Sequence, residues 1–341
     1  MKGYLFILFV FLSISSFAEE GNPKGDTTHI FNKIDTTYIE DYHDMFTLRT
    51  IAVTRYNNFT LTDNVSGAKM EYGINDNLNM GLGLSIKSIG IEYQQKIYGN
   101  SFQFALATGG NTRRFIYDVY FRYTKGFRTK NRFVIGNDSL TGKPVWEYIY
   151  RPDIANYNAG FNFLYVFNNK QFSSAAPYSF TQRQKKSAGS LLLGTYALLY
   201  GLTADTVLFQ DSLRKSFQPE LQFNNASSYT WGISCGYTYT LVIGKYWYVN
   251  IATVPGISFQ GFYSTNAYDQ SAYQNGSVGL TLQSRFSIGF NKRLNYLGLC
   301  YAANNYLINN DSRSSLNYKF SSIRIYYGHR FDVRNFLKKR L

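Results

Sequence analysis

Five charged residues fall on the polar side of stretches in which apolar and polar residues alternate: Glu92, Asp118, Arg122, Arg285 and Arg324. Enclosed charges normally pair, because an unpaired charge is costly where solvation is poor. The five residues therefore predict a charge network inside the protein. Two interpretations stay open. The network could be a static set of salt bridges and hydrogen bonds that fills a narrow interior. It could instead line a slightly basic channel that favours anionic solutes, as charged rings do in other pores.

The histidines give little support for catalysis. A serine nucleophile needs a base within hydrogen-bond reach, and the sequence contains no His-x-Ser pattern. His29 and His43 precede the first predicted strand, and His329 lies near the end of the last one. We therefore expect no catalytic residues, and a lipid-acting enzyme built around His329 is the alternative.

Oxygen and sulfur ligands are too scattered to predict a metal or cofactor site. Cys235 and Cys300 are far apart and form no CxxC pair, which favours neither a disulfide framework nor a zinc site. One acidic segment could supply oxygen ligands for calcium, but its spacing matches no calcium-binding loop. That segment contains Asp35, Glu40, Asp41, His43 and Asp44.

The stretch 277–291 indicates which elements position the charges. Its apolar residues Val278, Leu280, Leu282 and Phe286 alternate with polar or small residues, and Arg285 is one of the polar ones. A period of two over eight or more residues is typical of a β-strand with unlike faces. The alternation recurs at 78–86, 89–94, 115–124, 160–167, 231–241 and 323–331.

Strands of this kind account for most of the chain. They are roughly 9 to 20 residues long, whereas soluble strands typically have about 5 or 6 residues and a tilted membrane-spanning strand needs about 9 to 11. Tight turns alternate with long polar loops, as in outer-membrane barrels. The predicted strands lie near 47–57, 68–86, 88–97, 101–109, 113–125, 155–168, 187–203, 228–242, 246–264, 277–291, 295–308 and 316–331.

We therefore predict an all-β fold, a transmembrane antiparallel up-and-down β-barrel of about twelve strands with its apolar face toward lipid. Residues 169–186 do not fit the alternation of tight and long connections. They are predicted to be a longer periplasmic link or an insert into the lumen.

The first residues have the layout of a secretory signal peptide. Lys2 provides the basic start, residues 4–12 are apolar, and Ser16 and Ala18 provide the small residues of a cleavage site. We expect cleavage after Ala18 and localisation in the outer membrane. The predicted organisation is a signal peptide at 1–18, a periplasmic lead-in or partial plug at 19–46, the barrel at 47–331 and a basic tail at 332–341.

The net charge of +14 does not indicate nucleic-acid binding. Only 16% of the residues are charged while 18% are aromatic, and basic residues such as Lys87, Arg113, Lys245 and Lys292 lie mostly at turns. Nucleic-acid-binding proteins concentrate Lys and Arg on one face or element. We expect the partners to be the lipid bilayer, lipopolysaccharide and the barrel-assembly machinery, and no nucleic acid. The sequence leaves the oligomeric state open.

The fold suggests two roles, a narrow channel or transporter for small solutes, or a structural or surface-interaction barrel. The alternatives are the lipid-acting enzyme and a secreted soluble β-sandwich that binds a ligand. The sandwich is disfavoured because so many large aromatics on one face would leave a soluble surface unusually apolar.

Several stretches resemble an uncharacterised domain-of-unknown-function family of Bacteroidota-type outer-membrane barrels. Most specific are Gln184 to Ser190 (Gln-Lys-Lys-Ser-Ala-Gly-Ser) and Arg151 to Ile154 (Arg-Pro-Asp-Ile). Similar pieces lie at 35–39, 82–91 and 123–127, so the resemblance covers most of the chain in order. It implies the compartment and the barrel fold, and it implies no activity, ligand or catalytic residue.

Overall fold

The computed structural model describes residues 11–14, 34–74, 77–86, 89–131, 133–137, 144–209, 217–218, 221–265, 271–309 and 314–332. Apart from residues 11–14, the predicted signal peptide lies outside the described residues, as do 19–33 of the predicted lead-in and 333–341 of the predicted tail.

The described residues form eighteen β-strands and one helical turn, and the prediction of an all-β chain is confirmed. No helix in these ranges is long and apolar enough to cross a membrane. In chain order the elements are β1 (Phe11–Ile14), β2 (Ile39–Asp41), β3 (Phe46–Asp63), β4 (Lys69–Gly73), β5 (Leu78–Ile86), β6 (Ile89–Tyr98), β7 (Phe102–Asn111), β8 (Phe115–Thr129), β9 (Phe133–Asn137), β10 (Pro144–Glu147), β11 (Tyr150–Val166), α1 (Ala175–Tyr178), β12 (Gln182–Gln184), β13 (Ala188–Thr203), β14 (Asn225–Ile243), β15 (Trp247–Thr265), β16 (Ser271–Asn291), β17 (Asn295–Asn309) and β18 (Ser314–Phe331).

Antiparallel pairing of neighbouring strands closes the wall into a barrel. The last strand, β18, pairs with β3 over its whole length, from Phe331 opposite Phe46 to Ser314 opposite Asp63. The turns at 112–114, 244–246 and 292–294 mark what we name the short-turn end, and the opposite end is the long-loop end. A closed antiparallel barrel leaves few backbone groups unpaired in hydrocarbon, which lets a polar chain cross a membrane.

The number of wall strands differs between the two ends. At the long-loop end β4 pairs with β8, Tyr72 lying opposite Thr129, so ten strands close a ring. Toward the short-turn end β5, β6 and β7 replace β4, and the described wall has twelve strands in addition to the short β1, which lies between β6 and β7. The predicted number of about twelve strands therefore fits the short-turn end, whereas ten strands close the ring at the long-loop end. The reason is a break after Gly73 that divides the predicted strand 68–86 into β4 and β5.

The two faces of the wall differ as the alternation predicts. On β16, Leu280 and Ile288 point outward with 59% and 40% of their surface exposed, while Thr281, Gln283 and Ser287 are buried inside. Large apolar side chains on other strands extend this outward belt: Leu193, Ile233, Ile251, Ile257, Phe259 and Ile325. A continuous apolar belt around a polar interior is what a barrel presents to lipid.

Placing a charge in this belt tests which solvent surrounds the wall. Ile251, on β15, is 56% exposed. The change Ile251→Arg is expected to lower the free energy of unfolding in lipid vesicles by about 2–4 kcal/mol, because a cation near the bilayer midplane is poorly solvated. Urea unfolding followed by tryptophan fluorescence measures this change in the free energy of unfolding. Val65→Arg, at an exposed turn, is the control, and equal small effects at both positions would contradict a lipid-facing belt.

Candidate functional site

A segment between β11 and β13 enters the barrel at the short-turn end; we name residues 169–184 the short-turn plug. Its centre is the backbone carbonyl of Pro177, which accepts hydrogen bonds from the barrel wall. The Ser287 Oγ donates at 2.8 Å, the Tyr248 hydroxyl at 3.3 Å and the Cys300 Sγ at 3.4 Å. Of the two interpretations of residues 169–186, the structure has the lumen insert.

The plug is also fixed by an aromatic stack and a buried arginine. Phe180 stacks on Tyr296 with ring centroids 4.4 Å apart. Arg330, only 1% exposed, donates through Nη2 to the Phe180 carbonyl and, at 2.9 Å, to Asn291 Oδ1. Its guanidinium lies over the Tyr296 ring at 4.6 Å and the Tyr42 ring at 4.4 Å. One wall side chain therefore holds both the plug and the segment before β3.

The described part of the predicted lead-in, residues 34–45, packs on the plug. Strand β2 pairs with β12, and Glu40 forms a salt bridge of 2.7 Å with Arg183. The Tyr42 amide donates to the Thr181 carbonyl at 2.9 Å. Burial raises the pKa of the Tyr42 phenol to about 12, so this hydroxyl stays neutral.

A second insert fills the long-loop end; we name its described residues, 204–209, 217–218 and 221–224, the long-loop plug. Phe209 stacks on Phe217 with ring centroids 3.9 Å apart, and both are buried. The backbone amide of Gln218 donates a hydrogen bond to Asp63 Oδ2 at 2.9 Å. The plug packs against apolar side chains of the inner wall: Phe59, Leu61, Tyr72, Phe127, Tyr200, Phe262 and Tyr318.

Next to the short-turn plug, inside the barrel, lies a cavity of about 520 Å³, which we name the chamber. Among the described residues that line it, six are arginines and three are carboxylates, so the lining carries an excess of three positive charges. The arginines are Arg49, Arg55, Arg113, Arg122, Arg285 and Arg324, and the carboxylates are Asp41, Glu92 and Asp118.

All five residues of the predicted charge network line the chamber, and two of them pair with each other. Arg285 Nη2 lies 2.6 Å from Asp118 Oδ2. Glu92 Oε1 lies 2.5 Å from Nη2 of Arg49, a residue outside the predicted set. The lining thus pairs Asp118 with Arg285 and Glu92 with Arg49, and its net charge is positive.

Three further guanidiniums converge in the chamber. Arg122 lies between two rings, with its Cζ 3.8 Å from the Tyr120 centroid and 3.9 Å from the Phe320 centroid. Arg324 Nη1 donates to the Tyr326 hydroxyl at 3.2 Å. Arg55 lines the same cavity and donates through Nη2 to Gln94 Oε1 at 2.5 Å. Like charges in poorly solvated surroundings attract an anion, because the anion relieves their repulsion.

Arg49 and Arg55 are the functional candidates that the sequence prediction missed. Both lie on β3 and share its inward face, six residues apart, with Thr47, Ile51 and Val53 also buried on that face. The same period of two that identified Arg285 would have identified them.

The other candidates take structural positions. His329 Nδ1 lies 2.6 Å from Asn295 Oδ1, and its ring packs against Phe331. In the acidic segment Asp35 Oδ1 accepts from the Thr37 amide and hydroxyl. The described residues contain no group of three or more His, Cys, Asp or Glu side chains placed to hold a metal. The two cysteines are free thiols, Cys235 outward and Cys300 buried.

Solved structures that the chain resembles are bacterial outer-membrane proteins. The toluene transporter TodX of P. putida is 6% identical, with 84% of this chain and 90% of that chain covered and a TM-score of 0.25. OmpT of Vibrio cholerae is 8% identical, with coverages of 84% and 98% and a TM-score of 0.21. A FadL homologue of Pseudomonas aeruginosa is 8% identical, with coverages of 89% and 94% and a TM-score of 0.20. Similarities this low carry no argument about ligand or mechanism.

No curated protein matches the sequence. The model of one family, a domain of unknown function (DUF4421), matches residues 33–331, which contain the whole barrel wall from β3 to β18 and both plugs. The chain therefore belongs to the DUF4421 family.

Proposed function

We propose that this chain is an outer-membrane barrel that binds small anionic solutes in the chamber and passes them across the membrane when a plug moves. The observation that carries the proposal is the excess of three positive charges among the described lining residues of a plugged interior. An excess of like charge in a poorly solvated interior is costly, and a bound anion would offset it.

Localisation and partners belong to the same proposal. The predicted signal peptide, with cleavage after Ala18, would export the chain, and the apolar belt would then face the outer-membrane lipid. The basic residues at turns are suited to lipid head groups and lipopolysaccharide. The barrel-assembly machinery would insert the chain. A Bacteroidota-type origin stays a prediction.

Phosphate binding tests the chamber as the anion site. Wild-type barrel in detergent is expected to bind inorganic phosphate saturably in calorimetry. The double change Arg122→Gln with Arg324→Gln should weaken binding at least tenfold, because each hydrogen bond from a charged donor is worth about 1.5–3 kcal/mol and about 1.4 kcal/mol corresponds to a factor of ten.

The matched control removes a positive charge outside the chamber. Lys292 is an exposed residue of a short turn, and Lys292→Gln should leave phosphate affinity unchanged. Equal weakening by both changes would mean that net charge, and not the chamber, attracts phosphate. Wild-type protein that binds no phosphate would overturn the proposal.

The second candidate is a structural barrel without transport. The plugs favour it, because Arg330 and the Pro177 contacts hold the short-turn plug firmly in place. A structural barrel carries no phosphate flux into proteoliposomes, whereas the transporter does.

We propose no enzymatic role. The imidazole of His329, the predicted base, forms a hydrogen bond with the side chain of Asn295 and packs on Phe331. Vesicles that contain the barrel should therefore release no more lysophospholipid than empty vesicles. The His329→Ala variant should release the same amount as the wild type.

A further inference from the structure

The orientation of the Arg122 guanidinium is fixed by two aromatic rings from different strands. Tyr120 lies two residues before Arg122 on the inward face of β8, and Phe320 comes from β18. The distances from Cζ to the two ring centroids, 3.8 and 3.9 Å, are van der Waals contacts. Two rings cannot share one face of a guanidinium at this distance, so each ring covers one face.

The stack leaves the hydrogen-bond donors of Arg122 uncovered. The five N–H groups of a guanidinium lie in its plane, so rings on its two faces do not block them. Among the described residues, the Arg122 side chain donates no hydrogen bond to another residue and forms no salt bridge, in contrast to Arg49 and Arg285. Arg122 lines the chamber. Packing therefore holds it in one orientation and leaves its donors for a ligand.

Small residues beside the two rings leave room for the body of a ligand. Ala107 on β7 pairs with Tyr120, and Ala302 on β17 pairs with Ser322, two residues from Phe320. Both alanines line the chamber, and Ala302 is exposed, so its methyl group borders open space. The chamber volume of about 520 Å³ lies within the range of small-molecule sites.

We propose that the chamber selects organic oxyanions, which are molecules with a carboxylate or phosphate group on a compact apolar body. The acid group accepts two parallel N–H bonds in the plane of Arg122, and the apolar body contacts Ala107 and Ala302. Two oxygens of such a group match the fork of a guanidinium, whereas a spherical halide does not. The inference rests on the proposed function, and it adds that the shape of Arg122 matters beyond its charge.

Ligand pairs with and without an apolar body test the selected class. In calorimetry of the wild-type barrel in detergent, benzoate is expected to bind at least tenfold more tightly than acetate. Phenyl phosphate is expected to bind at least tenfold more tightly than inorganic phosphate. A factor of ten corresponds to about 1.4 kcal/mol, less than the burial of a phenyl group provides. Equal affinities within both pairs would overturn the inference.

Filling the space at Ala302 tests where the apolar body lies. Ala302→Leu should weaken the binding of benzoate and phenyl phosphate at least tenfold, because the leucine side chain occupies their place. It should leave the affinity for inorganic phosphate within twofold of the wild type. Ala52→Leu, on the outward side of β3, is the matched control and should change none of these affinities. Unchanged binding of both phenyl ligands by Ala302→Leu would contradict the assigned position.

A change that keeps the charge of Arg122 tests the fork. In Arg122→Lys the ammonium can lie between the same rings, but it does not present two parallel donors. Benzoate and phenyl phosphate should bind at least tenfold more weakly, because a hydrogen bond from a charged donor is lost. Arg293→Lys is the matched control, since the Arg293 side chain is 65% exposed at a short turn. Arg122→Lys protein with wild-type affinities would mean that charge alone attracts the ligand, which overturns the inference.

The outcomes separate this inference from the proposed function. Inorganic phosphate that binds to the wild type and is not improved by a phenyl group keeps the anion chamber and rejects the selection of organic oxyanions. Absence of binding by all four ligands rejects the chamber as an anion site, and the selection with it.

Discussion

Replacing Arg330 by glutamine is expected to release the short-turn plug and expose the chamber. Arg330 is buried and donates through Nη1 to the carbonyls of Lys292 at 2.8 Å and Arg293 at 3.1 Å, in addition to its Nη2 hydrogen bond to the Phe180 carbonyl of the plug. The shorter glutamine cannot reach all of these acceptors. The hydrogen bond to the Phe180 carbonyl comes from a charged donor and is worth about 1.5–3 kcal/mol, so the plug should lose about that much stabilisation.

The readout uses a thiol that the plug protects. Cys300 lines the chamber and donates to the Pro177 carbonyl, so a charged thiol reagent should react with it slowly in the Cys235→Ser background. Arg330→Gln should raise that rate at least tenfold while the barrel keeps its heat-modifiable migration on a gel. Arg293→Gln is the control, because the Arg293 side chain is 65% exposed and its salt bridge with Asp332 is weak.

An unchanged labelling rate in Arg330→Gln would contradict this account of the plug. It would mean that the Pro177 hydrogen bonds and the Phe180 stack hold the plug without the guanidinium. The further change Phe180→Ala would then identify which contact is decisive.

The second large effect is expected at the long-loop plug. Phe209→Ala together with Phe217→Ala removes two stacked, buried rings. Each loss of a buried phenylalanine costs about 3–5 kcal/mol, and the rings contact a cluster that includes Phe59 and Tyr200. The double variant should therefore lose the plug from the barrel mouth and lower the urea midpoint of unfolding.

Selective proteolysis measures the change. Trypsin added to intact proteoliposomes should cut the 204–224 segment of the double variant at least tenfold faster than that of the wild type. Val65→Ala, at an exposed turn, should leave cleavage unchanged. A double variant as resistant as the wild type would mean that polar contacts hold the plug, chiefly Gln218 to Asp63 and Arg151 to the Val207 carbonyl.

The wall was predictable because alternation is a local signal. The predicted strand 295–308 is observed as Asn295–Asn309, and the predicted strand 187–203 as Ala188–Thr203. The period of two determines which face of the sheet each side chain points to, whichever strand lies beside it. The break between β4 and β5 was missed, although Asn75, Asp76 and Asn77 are residue types typical of turns.

The chamber and the plugs required long-range information. Arg285 and Asp118 pair across the barrel although 167 positions separate them, and alternation assigns only the face. The three donors to Pro177 come from β15, β16 and β17. A signal for the long-loop plug did exist, since the loop after β13 carries a series of large apolar residues: Val207, Leu208, Phe209, Leu213, Phe217, Leu221 and Phe223.

The reversal potential of the opened barrel tests the central claim most directly. Arg330→Gln/Phe209→Ala/Phe217→Ala, reconstituted in a planar bilayer under a tenfold KCl gradient, should conduct, because both plugs are weakened. The account predicts a reversal potential close to the chloride equilibrium potential, which moves toward zero when Arg122→Gln and Arg324→Gln are added. A reversal potential close to the potassium equilibrium potential would contradict the account. So would a reversal potential that stays the same when Arg122→Gln and Arg324→Gln are added.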